Sequence, residues 1–186
     1  VTSCRLALPG KHNIANALAA TAAAGAVGIN LADIAAGLEH WQGVKGRLQA
    51  KEINGVHVID DTYNANPASI SAALEVLSMQ PGMKVFVIGD MGELGDNSAL
   101  LHRQSGELAK ELGIDACYTL GQQTVLTAQA FGPHAQSFTE PGQLVSALQK
   151  ELRNNLDQTV NILVKGSRAM KMEQVIELLE KNGMGG

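Results

Sequence analysis

The chain has 186 residues, of which 45% are hydrophobic and 17% charged, and its formal net charge is −4 at pH 7. The hydrophobic share is that of a globular protein and argues against disorder, and the length suffices for one domain plus part of another. Lys and Arg are few and scattered, so neither the basic face of nucleic-acid binders nor a polybasic run for anionic membranes is present.

The two cysteines, Cys4 and Cys117, lie far apart and form no Cys-x-x-Cys pair. We therefore expect two reduced thiols in a cytoplasmic protein. No stretch reaches the roughly 18 apolar residues of a membrane helix, and no signal segment opens the chain. The first residue is Val rather than Met, as expected of a fragment or a processed chain.

Two helices are predicted first, an alanine-rich one at 13–27 with Asn13 as N-cap and one at 31–39 with Asn30 as N-cap. No strand separates them, so residues 1–43 are expected to belong to a larger domain rather than to form their own core. The stretch WQGVKGR that follows brings two glycines and no periodicity. A domain boundary is predicted there.

From residue 47 to residue 186, predicted strands and helices alternate. This alternation, with apolar runs such as VFVI and VNILV, predicts an α/β domain with a mainly parallel sheet and helices on both faces. Asn-Gly at 54–55 predicts a hairpin between the first two strands. The predicted strands are 48–53, 56–60, 84–89, 116–120, 135–138 and 160–164. The predicted helices are 67–79, 97–112, 122–131, 140–154 and 170–182.

The loop DDTYNANPAS follows the second predicted strand, and ligands of such sheets bind at the carboxyl ends of strands. Asn66 and Pro67 suit the cap and first turn of the next helix. Asp61, Tyr63 and Asn64 have no such structural explanation. A carboxylate there can accept hydrogen bonds from a sugar diol, and a helix N-terminus favours phosphate. The sequence predicts a ligand-binding loop.

Two more polar loops follow strands. GDMGELG carries Asp90 and Glu93 with a G-x-x-G-x-x-G spacing, which does not match the dinucleotide fingerprint; a flexible turn and a substrate contact both stay open. Lys165, Ser167 and Arg168 follow the last strand at a helix start, where cations are unfavourable unless an anion binds. All three loops are expected at one edge of the sheet.

Asn13 and Asn16 are three residues apart and are expected on one side of the first helix. Their amides can donate and accept together, as a purine edge requires. The sequence has no Cys/His cluster with zinc spacing and no G-x-S-x-G. No metal site is therefore predicted within this chain.

The stretches LPGKHNIANALAA, KGRLQ, DDTYNANPAS, VIGDMGELG and LVKGSR, in this order, resemble the Mur ligase family over nearly the whole chain. YNANP and KGSR favour members that add D-alanyl-D-alanine to a UDP-N-acetylmuramoyl tripeptide. Such enzymes have a UDP-substrate domain, a central ATPase domain and a Rossmann-like carboxyl-terminal domain. The resemblance implies that residues 1–43 are the helical tail of the central domain and residues 47–186 the last domain. It also implies ATP and Mg²⁺ as cofactors and a monomeric cytoplasmic parent.

The resemblance implies a ligation in peptidoglycan precursor synthesis, in which ATP converts the tripeptide carboxylate to an acyl phosphate that the dipeptide amine then attacks. The implied nucleotide contacts are Asn13 and Asn16 at adenine, Arg47 at the phosphates, Asp61 at the ribose, and Tyr63 and Asn66 along the loop. The predicted substrate contacts are Asp90, Glu93, Lys165, Ser167 and Arg168, of which the last three are implied to lie near the incoming dipeptide. The implied catalytic cations are Arg47 and Lys165.

The chain departs from the family in lacking G-x-x-x-x-G-K-[ST], since PGKHN ends in the wrong residues. The phosphate loop, the Mg²⁺ ligands and the carbamylated lysine are expected upstream of Val1. We therefore expect the isolated chain neither to ligate nor to bind ATP tightly. Residues 13–40, separated from their sheet, are expected to pack non-natively or to mediate dimers.

Three rival interpretations stay open. A phosphoryl-receiver domain also has an acidic pair, a further aspartate and a late lysine, here Asp60, Asp61, Asp90 and Lys165. It needs a helix, a strand and a helix between the acidic groups, where this sequence accommodates one helix. A plain dinucleotide-binding domain lacks its fingerprint. Folylpolyglutamate synthetases share the Mur ligase architecture.

Overall fold

The computed structural model describes residues 2–6, 10–41, 43–155 and 157–182. The chain divides into two compact units, with the division between Val44 and Lys45. The assignment of these units to particular domains of a larger protein stays a prediction.

The first unit contains two helices, α1 (Lys11–Ala26) and α2 (Leu31–His40). The predicted N-cap of α1 is wrong, because the helix begins two residues before Asn13 and has Gly10 at its cap. Asn30 caps α2 as predicted, its side chain accepting the Asp33 N–H at 3.0 Å. Among the residues of this unit whose side chains the structure describes, Ile34 is the single buried one. The two helices therefore pack without a core of their own.

The second unit is an α/β domain with a six-stranded sheet in the order β1-β2-β6-β3-β4-β5. The β1–β2 pair is antiparallel and every other pair is parallel, which confirms the predicted mainly parallel sheet. Asn54 and Gly55 have φ of 51° and 81° and close the predicted hairpin. The strands are β1 (Gln49–Ile53), β2 (Val56–Asp61), β3 (Met83–Gly89), β4 (Ala116–Leu120), β5 (Ala135–Phe138) and β6 (Val160–Lys165).

The helices cover both faces of this sheet, as predicted. One core lies under α6 and α7, and the other lies under α3, α4 and α5. Along β3, Val85 and Val87 enter the first core, whereas Phe86 and Ile88 enter the second. Because both faces are covered, the strand is apolar at successive positions. The helices are α3 (Pro67–Ser78), α4 (Ser98–Glu111), α5 (Val125–Phe131), α6 (Pro141–Arg153) and α7 (Glu173–Asn182).

Two of these helices begin three residues later than the sequence predicts. Residues 122–124 precede α5 because their N–H groups donate to the Asp90 carboxylate. Before α7, a short 3₁₀ turn (Arg168–Met170) is followed by Lys171, whose φ of 48° is left-handed and interrupts a right-handed helix. Over the described parts of both units, no helix is long and apolar enough to cross a membrane.

Candidate functional site

The loops after β2, β6 and β3 lie side by side at the carboxyl edge of the sheet, because β6 pairs with both other strands. Parallel register sets Lys165 opposite Asp61 on one side and opposite Ile88 on the other. Glycine permits the close approach, since a Cβ on Gly166 would lie only 3.2 Å from the Gly89 Cα. The predicted convergence of three polar loops is confirmed.

Lys165 is a buried cation at the centre of these loops, with 2% of its surface exposed. Its Nζ donates to Asp61 Oδ2 at 2.5 Å and to the Asn64 carbonyl oxygen at 2.8 Å. Burial lowers the pKa of Lys165, the Asp61 carboxylate opposes this effect, and the positive Arg47 adds to it. The chain's own carboxylate thus occupies the place at which the sequence suggested a bound anion.

Asp61 has a structural role that the sequence did not reveal. Its Oδ1 accepts the Leu48 N–H at 3.1 Å, and Leu48 is held at a φ of 48°, which few residues other than glycine adopt. Asp61 is 8% exposed and joins this strained residue to Lys165. Its contact with a ribose stays a prediction.

Arg47 and Tyr63 form an exposed pair beside this buried one. The Arg47 Cζ lies 4.3 Å from the centroid of the Tyr63 ring, a cation–π distance. The Tyr63 N–H donates to the Gly46 carbonyl at 2.9 Å. Gly46 has a φ of 74°, and a Cβ there would lie 3.0 Å from the Tyr63 nitrogen, so this contact requires glycine. The pair presents a guanidinium and a ring edge to solvent.

The start of α3 confirms the predicted cap. Asn66 Oδ1 accepts the Ser69 N–H at 2.9 Å, Ser69 Oγ accepts the Asn66 N–H at 3.1 Å, and Pro67 occupies the first turn. Asn64 also has a local role, since its Oδ1 accepts the Ala65 N–H at 2.9 Å. The amides of this loop are therefore partly explained by the turn itself.

Asp90 braces the loop after β4. Its carboxylate accepts the backbone N–H groups of Gln122, Gln123 and Thr124 at 2.8 to 3.0 Å, and its carbonyl accepts the Ser167 N–H at 3.0 Å. This structural function was not expected from the sequence. Glu93, in contrast, is exposed at a φ of 61°. The substrate contacts predicted for both residues stay predictions.

Arg168 and Ser167 close the dipeptide-side loop. Arg168 Nη2 lies 2.9 Å from Glu173 Oε1, and 61% of the Arg168 side chain is exposed. An acidic residue in the first turn of α7 thus accounts for the cation at its start. Ser167 is buried at 6% exposure. Their substrate contacts also stay predictions.

His102, which no sequence motif marks as functional, is fully buried on α4. Its Nε2 accepts the Met91 N–H at 3.0 Å, and its Nδ1 lies 2.8 Å from the Ser98 carbonyl oxygen. The available signal was its position with Ser105, Gly106 and Ala109 on the inward face of the helix.

In the first unit, Asn13 and Asn16 lie on one side of α1 as predicted, with Asn16 Nδ2 3.4 Å from Asn13 Oδ1. Both line a groove of about 320 Å³ whose other walls include Ala17, Leu38 and Trp41. An apolar groove with two amides on its rim has the chemistry of a purine site. Contact with adenine stays a prediction.

Within the parts of the chain that the structure describes, no group of three His, Cys, Asp or Glu side chains could hold a metal ion. The described side chains thus do not fit Mg²⁺ by themselves, because that ion needs several oxygen ligands around it.

Comparison with known proteins shows which family this chain resembles. The family described as "Mur ligase, glutamate ligase domain" matches residues 46–168. The chain is 44% identical over 181 residues to the UDP-N-acetylmuramoyl-tripeptide--D-alanyl-D-alanine ligase of Escherichia coli (strain K12), covering 96% of this chain and 39% of that protein.

Solved structures of MurF ligases also match this chain. A crystal structure of MurF from Acinetobacter baumannii matches with a TM-score of 0.89 and 41% identity, over 96% of this chain and 40% of that one. The MurF ligase of Thermotoga maritima in complex with ADP matches with a TM-score of 0.79 and 26% identity, over 94% and 39%. The chain thus spans about two fifths of the length of these relatives.

Proposed function

The chain belongs to the Mur ligase family, and on that premise we propose that it is the carboxyl-terminal part of a D-alanyl-D-alanine-adding ligase of peptidoglycan precursor synthesis. The acceptor is a UDP-N-acetylmuramoyl tripeptide, as the name of the Escherichia coli relative suggests. The complex of the Thermotoga maritima relative with ADP supports ATP as the energy source. We place the enzyme in the cytoplasm, as a monomer, with its Mg²⁺ ligands in residues outside this chain.

One observation carries this proposal. The exposed Arg47, stacked on Tyr63, lies beside the buried ion pair of Lys165 and Asp61 where β2 and β6 end. In the proposed reaction ATP converts the acceptor carboxylate to an acyl phosphate, and the amine of the dipeptide displaces phosphate. Catalysis of this kind depends mostly on positioning and on neutralising negative charge. The side chains of this chain are suited to those two tasks.

Arg47 is the residue that we assign to charge neutralisation. Its guanidinium is exposed and stacked on Tyr63, so fewer rotamers must be lost when it meets a phosphate. Lys165 has the complementary task. Because its Nζ is buried against Asp61 and the Asn64 carbonyl, it positions the nucleotide-side loop.

The groove beside Asn13 and Asn16 supports an adenine site. The apolar walls can cover the faces of a purine, and the paired amides can donate to and accept from its edge.

The test is a ligation assay on the full-length ligase that contains this chain, comparing D-alanyl-D-alanine with single amino acids and with glutamate. We expect product only with the dipeptide, and R47A to lower kcat/KM by about 100-fold or more, as removal of a charge-stabilising contact does elsewhere. R103A, which removes an exposed arginine of α4, is the matched control and should leave the rate unchanged. Ligation of glutamate instead would assign the folylpolyglutamate synthetase alternative.

Two further results would contradict the proposal. Appreciable ATP turnover by the isolated 186-residue chain would show that the chain is not part of a larger catalytic site. Phosphorylation of Asp90 by acetyl phosphate would favour the receiver interpretation, although its carboxylate already accepts three backbone N–H groups.

A further inference from the structure

His102 is a polar side chain at full burial on α4, on the same inward face as Ser105, Gly106 and Ala109. Both of its ring nitrogens have partners. Nδ1 faces the carbonyl oxygen of Ser98 at 2.8 Å, and Nε2 faces the backbone N–H of Met91 at 3.0 Å. A carbonyl only accepts and an N–H only donates, so the two contacts fix one state of the ring. The ring is neutral, with its proton on Nδ1.

The acceptor Nε2 holds the beginning of the loop after β3. Asp90, directly before Met91, is tied through its carbonyl to Ser167 and through its carboxylate to residues 122–124. The loop beyond Met91 has Gly92 and Gly95 and exposes Glu93 at a φ of 61°. Glycines leave many conformations open. After Asp90, the Met91 N–H bonded to His102 is therefore a further backbone anchor for the start of this loop.

Burial of an imidazole for stability alone would not explain this placement. An apolar residue at this buried position would avoid the desolvation of two ring nitrogens. The partner of Nε2, moreover, is the backbone of the loop and not a neighbouring helix. A histidine here specifies the geometry of the loop.

We propose that His102 is a positioning residue of the ligase, which fixes the backbone of Met91 and thereby holds Glu93 in place for the incoming dipeptide. This inference rests on the proposed function and on the sequence-based prediction that Glu93 contacts substrate; the assignment of Glu93 to the dipeptide is part of the inference. It adds a residue that touches no substrate and acts through the backbone.

The kinetic test uses three variants of the full-length ligase. H102L removes the acceptor and keeps an apolar volume, and H102Q retains an amide oxygen that can accept the Met91 N–H. T127V is the structural control, because Thr127 Oγ1 donates to the His102 carbonyl at 2.8 Å and so bonds the backbone of α4 rather than the imidazole ring. We expect H102L to raise KM for D-alanyl-D-alanine by about tenfold, the change of roughly one hydrogen bond, with KM for ATP within about twofold.

H102Q should recover most of that loss. T127V should lower the melting temperature and leave both KM values unchanged. The proposal is overturned if H102Q behaves as H102L does, or if T127V raises KM for the dipeptide as much as H102L at equal loss of stability. Equal changes in KM for ATP and for the dipeptide would also overturn it.

A spectroscopic test is independent of the ligase activity. In the ¹⁵N-labelled 186-residue chain, the His102 ring should show a protonated Nδ1 and a bare Nε2, and the Met91 amide should exchange slowly with solvent. In H102L that amide should exchange faster, and in H102Q it should stay protected. A protonated Nε2 would overturn the inference. If these spectra are as expected and the ligase does not use the dipeptide, the proposed function fails while the anchor stands.

Discussion

The two units of this chain bury their side chains to very different extents. In residues 45–186 both faces of a six-stranded sheet are covered, and side chains such as Phe86, Leu148 and Ile162 are fully buried. In α1 and α2 the hydrophobic side chains of Ile14, Leu18 and Trp41 are about half exposed or more. One unit has two cores, one on each face of its sheet, and the other exposes large apolar side chains.

This difference predicts in which unit a substitution affects stability and function most. Substitutions in the second unit remove contacts from a close-packed interior, whereas the same substitutions in the first unit act on surface. The second unit also holds a buried ion pair between strands, Lys165 with Asp61. Substitutions and thiol reactivity can test this contrast, from the largest expected effect to the smallest.

The largest expected effect is that of K165M. Methionine keeps the length of the side chain but leaves the Asp61 carboxylate buried without its cation, so unfolding free energy should fall by about 3–5 kcal/mol. Urea denaturation of the 186-residue chain, followed by circular dichroism, measures it. K110M, at an exposed lysine of α4, should change stability by less than about 0.5 kcal/mol. Similar values for the two variants would show that the ion pair does not stabilise the domain.

A matched leucine pair should give the next effect. L148A truncates a side chain of α6 that is 0% exposed and should lower stability by about 2–5 kcal/mol. L18A makes the same change on α1, where the side chain is 66% exposed, and should alter stability by less than about 0.5 kcal/mol. Thermal unfolding of both variants is the measurement. A large loss in L18A would mean that α1 is covered in solution, for instance in a dimer through residues 13–40.

A smaller effect should appear in the pH dependence of the same ion pair. Burial lowers the pKa of Lys165 below its ordinary value of 10.5. The folded chain then binds this proton less tightly than the unfolded chain, so stability rises with pH between the lowered pKa and 10.5. K165M lacks this titration. The stability of the wild type relative to K165M should therefore grow from neutral pH toward 10.5, in urea titrations at several pH values. A decrease would show that the attraction of Asp61 outweighs burial.

Local signals account for what the sequence predicted well. Asn54-Gly55 specifies its hairpin, and Asn66-Pro67 specifies the start of α3, because each acts within a few residues. The insertion of β6 between β2 and β3 is decided by packing between distant parts of the chain. The pairing of Lys165 with Asp61, 104 residues apart, therefore could not be predicted from local sequence patterns.

The error at the start of α5 has the same origin. The beginning of α5 depends on the Asp90 carboxylate, which is 32 to 34 residues away from its three donors. The polar loop 60–69 was recognised as unusual, but part of its polarity is used by contacts inside the chain. Sequence alone gave no means of separating the residues that brace this loop from those that face a ligand.

The smallest expected effect is a difference in thiol reactivity between the two units, which can be measured without a change in stability. Cys4 is exposed, whereas Cys117 is 0% exposed on β4, and burial raises the pKa of its thiol above the usual range. Because the thiolate is the reactive form, a thiol reagent should modify Cys4 rapidly in the native chain. Cys117 should react only when the second unit opens. Mass spectrometry with time resolves the two steps, and C4S should remove the fast one. Fast modification of Cys117 in C4S would mean that β4 opens without global unfolding, and the contrast in packing between the two units would then not hold in solution.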